Sequence, residues 1–68
     1  PEEVLAERIS LAEILKRLNE SDRQLIRLRF YAGKTQSKTA QILGTTQVQI
    51  SRRERKILKW MRKELTGE

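Results

Sequence analysis

The sequence predicts an all-α chain, a small domain of about four helices whose C-terminal part is a helix-turn-helix. Three observations carry this expectation. Apolar residues recur at helical rather than alternating spacing along most of the chain. One Pro, three Gly and few β-branched runs leave little material for strands. The stretch from Gly33 to Leu65 reads as a short helix, a Gly-containing break and a long helix. At 68 residues the chain is expected to form one domain, 1–68, with a small core that depends on good helix packing.

The first helix is expected to start at Pro1-Glu2-Glu3, where Pro suits the first turn and carboxylates meet the positive end of the dipole. Val4, Leu5, Ile9, Leu11, Ala12, Ile14, Leu15 and Leu18 then form its apolar stripe. Asn19-Glu20-Ser21-Asp22 opens the second helix. Asn19 is the expected N-cap, with Asp22 as a shortened capping-box acid and Ser21 as the alternative cap. Leu25, Ile26, Leu28 and Phe30 supply the apolar positions, and Tyr31-Ala32-Gly33-Lys34 ends the helix.

Thr35 is placed to cap the third helix, Gln36 to Leu43. Ala40 is small where this helix must approach the next, and Gly44 can take the left-handed conformation of a helix C-terminus. Thr46 then caps a helix from Gln47, and Ile50 packs it back, so the helix-turn-helix spans about 36–65. At about 100° per residue, Val48, Arg52, Arg55, Lys59, Arg62 and Lys63 share one face of this helix. Ile50, Ile57, Leu58, Met61 and Leu65 share the other. A basic face could be merely solvated. Here no acid interrupts it, and its first turn offers Gln47, Val48, Gln49 and Ser51 to base edges while the later Lys and Arg meet phosphates.

The charge distribution agrees. Residues 1–22 carry three Lys/Arg and six Asp/Glu, residues 23–68 twelve and three, and the chain is +6 overall. An acidic start before a basic remainder is the footprint of one nucleic-acid-facing side. A membrane-surface helix would need more apolar residues outward than the lone Trp60. The chain has no Cys and no His, which excludes disulfides and the usual zinc sites. No metal or cofactor is expected. Neither a signal peptide nor a membrane span is visible, so a cytoplasmic location is expected. A first residue of Pro rather than Met suggests a piece of something longer. Catalysis is not expected, since Glu54, Glu64 and Glu68 are the only acids in the basic part and none is spaced for acid–base work.

The run from Leu18 to Phe30 (LNESDRQLIRLRF), Gly33-Lys-Thr-Gln36, then Gln47-Val-Gln-Ile-Ser-Arg52 with Glu54, resembles the C-terminal region four of bacterial RNA polymerase sigma factors. The likeness is greatest to the sporulation group, the forespore factors F and G, and covers nearly the whole chain. It implies a monomeric domain that binds the upstream (minus thirty-five) promoter element, docks on the flap of the polymerase β subunit and is open to capture by an anti-sigma factor. Carried over, the base-reading positions are Gln47, Val48, Ser51 and Arg52. The phosphate-binding positions are Arg23, Lys34, Thr35, Gln36, Gln49 and Lys56, joined from the basic stripe by Arg55 and Lys59. Glu54 is expected to be a structural partner of Arg27 or Arg29.

The chain departs from the family at Thr39, Thr45 and Arg53, where an aliphatic residue packing between the helix-turn-helix pair is usual. Thr must satisfy a hydroxyl there, and Arg53 must snorkel outward. A softened core is expected, one that Arg53→Leu would firm. Two other readings compete. One is the output domain of a LuxR-type regulator, whose recognition helix tends to be shorter and less basic. The other is a module that mainly docks on polymerase or an inhibitor.

Overall fold

The computed structural model describes residues 10–67, and the expected helix start at Pro1 and the positions Val4, Leu5 and Ile9 lie outside them. Within that range the chain is helical, as expected: α1 (Leu11–Arg17), α2 (Glu20–Ile26), α3 (Gln36–Leu43) and α4 (Gln47–Thr66).

Ser10 has extended backbone (φ −72°, ψ 159°) and its Oγ accepts from the Glu13 N–H at 3.2 Å, so α1 starts at Leu11. Ile14 and Leu18 enter the core, whereas Leu11 and Ala12 face outward, contrary to the expected stripe. Asn19 caps α2 as expected, its Oδ1 accepting from the Asp22 N–H at 2.8 Å. Ser21, the alternative cap, lies inside the helix.

The helix then widens into a π-helical turn, Arg27–Tyr31, closed by the Ala32 N–H on the Arg27 carbonyl at 2.8 Å. The extra residue in this turn shifts the register of the residues beyond it. Leu25 and Ile26 are buried, but Phe30, expected at an apolar position, is 52% exposed. The Arg29 guanidinium sits over its ring, 5.7 Å from the centroid.

Thr35 and Thr46 cap α3 and α4 through their hydroxyls, accepting from Lys38 N–H at 3.0 Å and Gln49 N–H at 3.2 Å. Gly44 is left-handed (φ 72°), and the Thr45 N–H returns to the Ala40 carbonyl at 2.9 Å, which turns the chain between them. Thr39 and Ala40 of α3 and Ile50 of α4 are buried in this pair. Ile57 and Met61 continue the buried row along α4, meeting Ile14, Leu18, Leu25 and Ile26.

Two expectations for α4 are corrected. Trp60 is partly buried and packs on the core rather than facing outward. Leu58 and Leu65 lie about 60° and 40° round the helix from Met61, on the flank of the buried row, and remain 38% and 42% exposed. No helix among the described residues is long and apolar enough to cross a membrane.

Candidate nucleic-acid interface

The α3–turn–α4 pair presents one outer side built from two helix N-termini and the exposed face of α4. Gln47 and Val48, in the first turn of α4, are exposed, as is Arg52 one turn on. Val48 is 53% exposed. Val48 and Arg52 are four residues apart and so stack on one face. Ser51 is half-buried on the flank, and Gln49 is exposed.

The N-terminus of α3 lies alongside. Lys34 and Thr35 are exposed and Gln36 is half-buried. The Gln47 Nε2 donates to the Gln36 Oε1 at 2.5 Å, so an expected base reader and an expected phosphate contact touch directly. Farther along α4, Arg55, Lys56 and Lys59 line the helix, followed by Arg62 and Lys63, and all five are exposed.

These cations differ from the ones that stabilise the fold. Among the described residues the ion pairs are Arg17–Glu64, Arg23–Glu20, Arg29–Glu54 and Arg53–Asp22. All four of these acids are thereby matched to arginines outside the α4 stripe, whose Arg52, Arg55, Lys56, Lys59, Arg62 and Lys63 join none of these pairs. An ordinary solvated helix face mixes its charges. This one does not.

Arg23 is drawn into the fold. Its Nε donates to the Leu15 carbonyl at 3.0 Å, and its Nη2 to the Lys16 and Leu18 carbonyls at 3.2 and 2.7 Å. Its Nη1 meets Glu20 at 2.7 Å. The guanidinium therefore closes the C-terminal end of α1, whose last carbonyls lack helical partners. Four of its five N–H groups are directed at the chain's own oxygens, which gives Arg23 a structural role first and leaves one N–H for a phosphate.

Arg53 is corrected. It does not press into the helix-turn-helix pair but leans to α2, where its Nη2 meets the Ser21 Oγ at 2.7 Å and Asp22 at 2.9 Å. Glu54 takes Arg29, not Arg27, as its partner. Arg29 also donates to the Lys34 carbonyl at 2.7 Å, tying the α3 lead-in to α4.

Sequence reasoning missed two features of this side. Lys38 is an exposed cation on α3 and was not in the expected set. The Gln36–Gln47 link was equally unseen, although both residues occupy the first helical position after a Thr cap. On another side, Leu15, Arg27, Tyr31 and Ala32 line an open, largely apolar groove of about 450 Å³. No cluster of His, Cys, Asp or Glu able to hold a metal ion occurs among the described residues.

A family model described as sigma-70, region 4, matches residues 14–63. The RNA polymerase sigma-F factor of Bacillus licheniformis is 44% identical over 64 residues, covering 94% of this chain and 25% of that protein. The sigma-G factor of Bacillus subtilis (strain 168) is 39% identical over 59 residues, 87% of this chain and 23% of the relative. The sigma-E factor of Clostridium acetobutylicum is 40% identical over 55 residues, 75% of this chain and 23% of the relative. The chain thus spans about a quarter of the length of the curated relatives it matches. No solved structure matches it.

Proposed function

The chain belongs to the sigma-70 region 4 family, and from that premise we propose that it recognises the upstream (minus thirty-five) promoter element and docks on RNA polymerase to direct transcription initiation. It acts by binding, without catalysis of its own. The observation that carries this reading is the α4 stripe. Gln47, Val48 and Arg52 stand exposed at its start, six cations outside the four ion pairs run along it, and the acids of those pairs are matched elsewhere.

In this reading Gln47, Val48, Ser51 and Arg52 face base edges. Lys34, Thr35, Gln36, Gln49, Arg55, Lys56 and Lys59 hold phosphates. An exposed Val at groove depth suits a thymine methyl, and an Arg one turn later suits guanine. Thr35 keeps its capping bond while its helix N-terminus faces the backbone, because the two roles use different atoms.

Docking on the flap of the β subunit is supported by apolar surface away from the α4 stripe. The groove of Leu15, Arg27, Tyr31 and Ala32 is surface that a protein partner would cover, with Tyr31 62% exposed beside it. The same surface is open to an anti-sigma factor. The 20-residue basic α4 gives no support to the LuxR-type alternative.

Fluorescence titration of the chain on promoter-like and scrambled duplexes, with and without purified β flap, tests the proposal. Tighter binding to the promoter-like duplex by at least about tenfold is expected. Equal binding to both duplexes with flap binding intact would make protein docking the main role.

A further inference from the structure

We propose that Gln36 and Gln47 act as one amide unit, in which Gln36 fixes the rotation of the Gln47 amide and thereby makes Gln47 a reader of adenine. The inference rests on α4 being the recognition helix and extends that reading to a specificity-determining contact between two helices.

Both backbones are held before any DNA arrives. Gln36 and Gln47 are the first residues of α3 and α4, each following a Thr whose hydroxyl caps its helix. The left-handed turn at Gly44 brings the two N-termini together. Across the gap the Gln47 Nε2 donates to the Gln36 Oε1 at 2.5 Å, and neither side chain makes another hydrogen bond among the described residues.

A primary amide has two N–H donors and one acceptor oxygen. Gln47 commits one N–H to Gln36. That leaves one N–H and the Oε1, side by side in the amide plane. Adenine offers the matching pair in the major groove, an N7 acceptor and an N6–H donor. Guanine offers two acceptors, N7 and O6. Pairing both would require the two N–H groups of Gln47, one of which is taken. The link therefore favours adenine and penalises guanine at the same position.

Gln36 gives up only its oxygen, so both of its N–H groups stay available. They lie at the α3 N-terminus beside Lys34 and Thr35, where a phosphate is the natural acceptor. One side chain then joins a backbone contact to a base contact. Two long surface amides can also meet without consequence, and the test separates the cases.

The full chain is titrated against a duplex selected from a randomised pool and against variants of it with each base pair changed in turn. Wild-type protein should show one position preferring adenine over guanine by about tenfold or more, and Gln47→Ala should level it. Gln36→Ala should shrink that preference to below about threefold, while the phosphate contact it also removes weakens selected and scrambled duplexes alike by about two- to tenfold. Gln36→Glu keeps an acceptor for Gln47 but loses the donors and adds a negative charge. It should keep the preference while weakening all duplexes together. In a Gln47→Ala background, Gln36→Ala should level nothing further. Helical content by circular dichroism checks that each variant folds. If Gln36→Ala weakened every duplex equally and kept the adenine preference, Gln36 would be a phosphate contact only and the unit would be refuted. Sequence-specific binding with no adenine position sensitive to Gln47 refutes the unit but leaves promoter recognition standing. Failure to separate selected from scrambled duplex overturns both.

Discussion

Thr39 has no exposed surface, and its Oγ1 has no hydrogen-bond partner. The sequence showed a hydroxyl where an aliphatic side chain is usual, and the structure leaves that hydroxyl unsatisfied between α3 and α4. Val has nearly the same volume and nothing to satisfy. Thr39→Val is therefore expected to stabilise the chain by about 1–2 kcal/mol. Urea unfolding measures it, and a lower midpoint would mean that the hydroxyl does find a partner. Arg53 goes the other way. The sequence marked it as a charge crowding the core, but it holds Asp22, whose side chain is only 25% exposed. Arg53→Leu should therefore cost on the order of 1 kcal/mol instead of firming the core. A raised melting temperature would contradict this. Thr39 was legible because its neighbours in the pattern are helical and close. The partner of Arg53 lies 31 residues away, and no local spacing encodes it.

At the scale of elements, caps were the most legible features because they are written within four residues. Asn19, Thr35, Thr46 and Gly44 all stand where their chemistry placed them. The π-helical turn was not legible. Arg27–Tyr31 has the composition of an ordinary helix, with no Gly or Pro to mark the wider turn. Its consequence is large, since Arg29 reaches both the Glu54 carboxylate and the Lys34 carbonyl. Glu54 is 12% exposed, so removing its partner leaves a carboxylate largely cut off from water. Arg29→Met is expected to cost about 2–4 kcal/mol, and adding Glu54→Gln should recover part of that loss. A double-mutant cycle read by chemical denaturation checks the coupling, and additive effects would show that the pair is decorative. Gly44 makes a milder prediction at the turn. No heavy atom lies within 4 Å of the Cβ an Ala would carry there, so Gly44→Ala should cost only the left-handed backbone term. About 1 kcal/mol is expected, less for Asn, as a shift in melting temperature.

For the molecule as a whole, the charge asymmetry was legible by counting, but its arrangement in space was not. Two acids of α2 and two of α4 are drawn into arginine pairs, leaving a cationic stripe from Arg52 to Lys63, about 17 Å along the 20-residue α4. With about four to six phosphates neutralised, the log–log salt slope of DNA binding should be about −4 to −5. A slope shallower than about −1 would exclude backbone contact on this scale. The same side also predicts a division of labour along α4. Arg52 lies within two turns of the helix start, on the face of exposed Val48, where a guanidinium can pair bidentately with guanine. Lys59 shares that face two turns later, where a straight helix is leaving the groove, and offers a point charge to the backbone. Arg52→Ala should therefore cost about 1–3 kcal/mol on the best duplex and much less on scrambled DNA, relaxing specificity. Lys59→Ala should weaken both alike and flatten the salt slope by about one unit. Paired titrations at two salt concentrations separate the two patterns. Equal weakening of both duplexes by Arg52→Ala would move Arg52 to the phosphate set, and the base-reading surface would then contract to the first turn of α4.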